Sequence, residues 1–174
     1  RVSLALKPIR FLSCILYNSK SYSSSSDHLS GGDPAATLSN ALALAAKLKS
    51  CVFGTQIHGR IVKLGFSNDT FSQNNLVKMY SESGVLGDGF KVFDEMPERN
   101  LVSWTLGISG AVKNGLSEMA LEVYLDMTRT GWTPNEFAVG SVVKVCTCMG
   151  ADVLGMCVHC FALKVGMEKN PFVV

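Results

Sequence analysis

The chain has 174 residues and a formal net charge of +2, enough for one ordinary domain or a short array of small repeated units. Residues 1–34 carry Arg1, Lys7, Arg10 and Lys20 against Asp27 and Asp33, while the remainder carries 12 basic and 12 acidic groups. A neutral body argues against a duplex-DNA binder, whose affinity comes largely from Lys and Arg on phosphates, and no run of about 18 apolar residues is present to span a membrane.

In chain order, the first segment is rich in Ser, including Ser21 and Ser23 to Ser26, and has no acid before Asp27. With its basic residues and the apolar patch Phe11, Leu12, Ile15, Leu16 and Tyr17, residues 1–34 read as an organellar transit peptide and stand apart from the fold. The sequence opens at Arg1 and stops at Val174 where a further repeat begins, which predicts a segment cut from a longer protein.

From Thr37 to Leu64 the spacing of Leu38, Leu42, Ala45, Ala46 and Leu48 predicts a first helical pair. A second pair is expected over 72–80 and 87–96, turned at Ser83-Gly84 and stopped by Pro97. The third covers 103–113 and 117–129, turned at Asn114-Gly115 and closed by Gly131 and Pro134. The fourth covers 139–149 and 153–165, turned at Gly150 and ended by Gly166. No alternating strand pattern competes, so the fold class expected is all-α.

These pairs repeat. Gly54, Ile57, His58, Lys63 and Gly65 return 101 residues later as Gly155, Val158, His159, Lys164 and Gly166, and Phe71 maps onto Phe172. Gly84, Val92 and Met96 return 31 residues on as Gly115, Val123 and Met127. A period in the thirties denotes an α-solenoid of stacked helix-turn-helix units, and solenoids bind extended partners along a continuous surface. Matching positions divide the chain into 35–69, 70–100, 101–135 and 136–170, of 35, 31, 35 and 35 residues, with 171–174 opening another unit.

The six cysteines are Cys14, Cys51, Cys146, Cys148, Cys157 and Cys160. Cys146 and Cys148 point to nearly opposite helix faces at about 100° per residue, and His159 points away from the face shared by Cys157 and Cys160. No metal site is expected, and these thiols read as small hydrophobes.

The unit lengths and several motifs resemble the plant pentatricopeptide repeat family, in its class of mixed long, short and standard motifs. Residues 54–59 with 63–66 look like the second helix of a long motif. Residues 75–80 with Lys91 through Asn100 are similar to a short motif. Residues 101–104 with Ile108-Ser109-Gly110, Asn114-Gly115 and Met127 through Asn135 look like a standard motif. The resemblance covers 35–174 almost continuously. It departs at Gly89-Phe90, where the family usually has Ala-Arg, and slightly at Glu118 to Leu121. Glycine inside a helix costs about 1 kcal/mol relative to Ala.

The resemblance implies binding of single-stranded RNA, one base per unit, in a mitochondrion or alternatively a chloroplast. It places base-reading positions on Asn74 and Asn100 in the short motif and on Thr105 and Asn135 in the standard one. By the family's pairing rules these resemble a pyrimidine reader and an adenine reader. The long motifs place Ser39 with Asp69 and Gly140 with Asn170 there, and neither pair specifies a base. Phe71, Val102 and Phe137 are the implied stacking residues, with inter-repeat core the alternative for the two phenylalanines. Read from the residues alone, Asn100 and Asn135 are equally good helix caps, Asn74 and Thr105 ordinary solvated positions, and His58 and His159 packing or surface residues.

Many members of the family end in a deaminase-like domain acting in C-to-U editing, with editing-complex proteins as further partners. That chemistry needs His-x-Glu and Pro-Cys-x-x-Cys. His28, His58 and His159 lack the Glu, and Cys157 follows Met156. The expectation for this stretch is a binding module without catalytic residues, cofactor or metal. The competing class is a helical-repeat protein adaptor, for which Asn74, Asn100, Thr105 and Asn135 would be scattered or buried.

Overall fold

The computed structural model describes residues 34–167. The proposed leader upstream of Pro34, together with Asn170, Phe172 and the closing stretch 171–174, lies outside the described residues. Among those described there are eight α-helices: α1 (Pro34–Lys47), α2 (Cys51–Lys63), α3 (Thr70–Glu82), α4 (Leu86–Asp94), α5 (Leu101–Lys113), α6 (Ser117–Arg129), α7 (Glu136–Met149) and α8 (Asp152–Lys164). A short 3-10 turn, Phe66–Asn68, precedes α3, and no strand occurs among the described residues. The fold is an all-α solenoid of four helical hairpins.

Turn chemistry explains the hairpins. Gly84, Gly115 and Gly150 adopt left-handed φ values of 75°, 75° and 64°. Each is followed by a backbone N–H that reaches back five residues: Val85 to Tyr80 O, Leu116 to Ala111 O and Ala151 to Cys146 O. These bonds satisfy the orphan carbonyls at the end of each first helix. The first hairpin makes the same turn without glycine. Lys49 takes φ 49°, and the Ser50 N–H reaches Ala45 O.

The first helices start two or three residues earlier than apolar periodicity alone predicts, because a side-chain cap precedes the first buried residue. Asp69, Asn100 and Asn135 accept from the backbone N–H of Ser72, Ser103 and Ala138 at 2.8, 3.0 and 2.9 Å. In the other direction α4 stops at Asp94, short of Met96. The residue before a proline avoids helical geometry, so the chain leaves the helix ahead of Pro97 while the Met96 side chain stays buried.

Consecutive first helices pack directly on one another, α1 on α3, α3 on α5 and α5 on α7. Second helices reach the first helix of the following hairpin and make no comparable contact among themselves. The core runs unbroken through the layer of first helices, with Leu42, Leu76, Met79, Tyr80, Ile108, Val139 and Val142 all sealed from solvent.

Two residues at the repeat echoes hold neighbouring units together. His58 on α2 is buried, and its Nδ1 lies 2.9 Å from the Tyr80 hydroxyl on α3. Gly54, one turn earlier, lies where a Cβ would collide with the Met79 thioether of α3. Their echoes Gly155 and His159 stand at matched positions of α8, whose following unit lies outside the described residues. Gly89 likewise has a packing reason. A Cβ there would sit 3.1 Å from Tyr80 Cβ and 3.5 Å from Val77 O, so the missing side chain lets α4 close on α3. Gly89→Ala is therefore expected to lower stability by about 1 kcal/mol in urea unfolding, overpacking outweighing the gain in helix propensity.

Burial pushes the His58 imidazole from 6.5 down to about 4, against the opposing charge of Asp88. The folded state thus favours neutral His58, and its contribution is complete above the unfolded value of 6.5 and lost as pH falls towards about 4. Urea midpoints should report a loss of about 2 kcal/mol between pH 7 and pH 5, diminished in His58→Gln.

Candidate nucleic-acid interface

The N-cap of each first helix sets the geometry of the first-helix face. In the capping box at α5, Asn100 Oδ1 accepts from Ser103 N–H while Ser103 Oγ, at 3.1 Å, accepts from the Asn100 N–H. Asn74 on α3 then donates its Nδ2 to that same Asn100 Oδ1 at 3.4 Å. One unit along, the Thr105 hydroxyl lies 3.4 Å from Asn135 Oδ1, which also caps α7. In both pairs a first-helix side chain stands beside the Asn that caps the next first helix, but Asn74 donates to its partner whereas the Thr105 hydroxyl gives its one hydrogen to Leu101 O. In each, the capping oxygen is committed to the protein, and the Nδ2 hydrogens of Asn100 and Asn135 remain as outward donors.

The pairs differ in burial. Asn74 is 7% exposed and its Oδ1 has no partner among the described residues, whereas Thr105 is half-buried and also donates to Leu101 O at 2.8 Å. Burial of Asn74 departs from the solvated position that its sequence context suggests, because α5 packs over this turn of α3. An unpaired buried carbonyl oxygen costs about 1–3 kcal/mol, a cost that a ligand donor reaching the pair would relieve.

Phe71, Val102 and Phe137 occupy matched places near the starts of α3, α5 and α7, and they are 60, 56 and 52% exposed. The inter-repeat core, the alternative setting for Phe71 and Phe137, is filled instead by Leu76, Met79 and Val139. Further along the first helices stand four exposed lysines, Lys47, Lys78, Lys113 and Lys144. Lys113 pairs with Glu82 across the boundary between α3 and α5. On the first helices these four lysines stand against Glu82 and Glu136, while α6 carries Glu118, Glu122 and Asp126 against Arg129.

The long units differ. Ser39 donates its hydroxyl to Ala35 O at 2.9 Å and accepts from Asn75 Nδ2 at 3.4 Å, so its hydroxyl is engaged within the protein. Asp69 caps α3, and hydrogen bonds from the Ser72 hydroxyl and backbone hold its carboxyl below the ordinary carboxylate range. Gly140 offers no side chain, and its matched partner Asn170 lies outside the described residues. Asn75 was not singled out by sequence, since its role depends on a residue 36 positions away.

Cys146 is buried, and burial pushes its thiol upward. Cys148, Cys157 and Cys160 are exposed. Among the described residues no group of three His, Cys, Asp or Glu side chains gathers to hold a metal, and no helix is long and apolar enough to cross a membrane.

Stacked hairpins with matched polar pairs at two successive junctions define a helical-repeat array. Residues 74–101 and 102–132 match the PPR repeat. A pentatricopeptide repeat-containing protein of Arabidopsis thaliana is 38% identical over 117 residues, covering 67% of this chain and 20% of its own length. A second from the same plant is 39% identical over 134 residues, covering 76% of this chain and 16% of its own. A third, named as chloroplastic/mitochondrial, is 38% identical over 123 residues, covering 67% and 19%. The chain belongs to the pentatricopeptide repeat family, and it spans a fifth or less of the length of these relatives.

Because Asn100 both caps α5 and anchors Asn74, Asn100→Ala should lower stability by about 1–2 kcal/mol. Asn100→Asp preserves the cap and should cost less than half as much, as thermal unfolding of the two variants would show.

Proposed function

We propose that this array binds single-stranded RNA with sequence preference, as part of an organellar pentatricopeptide repeat protein of the mixed long, short and standard class. The unit boundaries are 35–69, 70–100, 101–135 and 136–170. The observation that carries the reading is the twin contact, Asn74 with Asn100 and Thr105 with Asn135, each at 3.4 Å and each beside an exposed stacking residue. Unpaired bases present hydrogen-bonding edges that short amide and hydroxyl side chains can meet. Apolar faces at Phe71, Val102 and Phe137 support stacking on successive bases, and the lysine row supports the phosphates.

By the family's pairing rules, Asn74 with Asn100 resembles a pyrimidine reader and Thr105 with Asn135 an adenine reader. The resemblance thus implies a preference for a pyrimidine followed by adenine, read 5′ to 3′. The expected compartment is the mitochondrion, with the chloroplast as alternative; the relative named for both organelles supports either. The role we assign is C-to-U editing or transcript processing, with any chemistry, and contacts to editing-complex proteins, carried outside this stretch. The protein-adaptor reading draws on the burial of Asn74.

Fluorescence anisotropy on the full polypeptide tests the two. RNA with pyrimidine then adenine at the two positions should bind about tenfold tighter than RNA with both swapped, the equivalent of roughly 1.4 kcal/mol. Equal affinity for the two RNAs would sink the base-reading proposal.

A further inference from the structure

The short unit is short in one place. Its second helix α4 has 9 residues, whereas α2, α6 and α8 each have 13. The helices α2 and α6 finish in a left-handed glycine, Gly65 with φ 80° and Gly131 with φ 85°. After α6 the Trp132 N–H then reaches Met127 O, while the Thr130 hydroxyl lies within 2.9 Å of Met127 O and 2.8 Å of Asp126 O. Between α4 and α5 no residue has positive φ. The carbonyls at this end, and the path of the chain into α5, have to be managed by other means.

Arg99 does this. Its Nε and Nη2 donate to Phe93 O at 3.1 and 2.9 Å, and Nη2 also donates to Asp94 O at 3.1 Å. The guanidinium lies 4.6 Å from the Phe93 ring centre on α4 and 5.3 Å from the Trp104 ring centre on α5. Those two rings meet edge to face at 5.5 Å. A planar guanidinium can donate in a fork and stack at once, which an ammonium cannot. Arg99 thus stands in for the missing turn and its glycine, clamping the end of α4 to the first turn of α5. The residue it holds between them is Asn100.

We propose that Arg99 is a positioning residue for base reading at the short unit: it fixes where Asn100 stands relative to Asn74. The inference rests on the RNA-binding reading for its functional half, and on the geometry of the junction for its structural half. Asn135 needs no such residue, because α6 ends in its own glycine turn and the buried Pro134 precedes it. The standard unit is therefore an internal control within the same molecule.

The test uses the full polypeptide with Arg99→Lys, which keeps the stem and the charge, and Arg99→Gln as the second variant. Amide hydrogen exchange reads the structural half. Exchange at Ser103, whose N–H is held by Asn100 Oδ1, should accelerate about tenfold relative to Ala138, held by Asn135 Oδ1. Unchanged Ser103 protection in both variants overturns the proposal, as does equal acceleration at the two amides. Anisotropy reads the functional half with RNAs mismatched at one base at a time. The matched-to-mismatched ratio should fall about tenfold at the short-unit base and stay within about twofold at the standard-unit base. Ratios that fall together, or an unchanged short-unit ratio, overturn it. A wild-type protein that discriminates at neither base sinks the RNA reading instead, and Ser103 exchange alone then decides whether Arg99 positions Asn100.

Discussion

A helical hairpin of this length has two apolar faces and closes on only one of them. The other must be covered by the next hairpin, and that requirement shapes the rest of the molecule. It puts first helix against first helix, α1 on α3 on α5 on α7, so the first-helix layer carries the continuous core. It also dictates where neighbours are allowed close approach. Gly54 makes way for Met79, Gly89 for Tyr80, and His58 reaches the Tyr80 hydroxyl. Tyr80 is thus approached from its own hairpin by α4 and from the preceding one by α2. Stability in such a stack is nearest-neighbour in kind, and the α2–α3–α4 contact is one of its terms.

Much of this was legible in sequence because it is written in local signals. Gly84, Gly115 and Gly150 mark turns through their freedom at positive φ, and apolar spacing marks helices on either side. The helix ends were less legible. Met96 fits the apolar period of its helix and is buried like a helix residue, yet the helix has already ended at Asp94, since Pro97 and Arg99 impose another path. The turn at Lys49 carried no signal, because nothing in a lysine announces a left-handed backbone. It is held there by the Ser50 N–H on Ala45 O.

The candidate site was legible as a set of positions and not as a set of environments. Register alone makes Asn74, Asn100, Thr105 and Asn135 equivalent. Register cannot say that Asn74 is buried beneath α5 while Thr105 is half-exposed, because burial depends on packing between units 26 to 30 residues apart. Arg99 escaped notice because its contacts join the end of one unit to the start of the next.

Position and chemistry are linked at the caps. A residue preceding a first helix must offer a short acceptor to the third backbone N–H, which restricts it to Asp, Asn, Ser or Thr. Asn and Asp cap about equally well, but they leave opposite groups behind. Asn100 and Asn135 spend Oδ1 on the helix and retain two amide hydrogens. Asp69 spends Oδ2 and retains an acceptor, kept ionised by its bonds to Ser72. Exchange between the two therefore inverts the hydrogen-bonding character shown to a ligand while leaving the helix start nearly as stable. On the RNA-binding proposal, a solenoid built this way changes what it reads without changing how it folds, provided the neighbouring unit holds the cap in place.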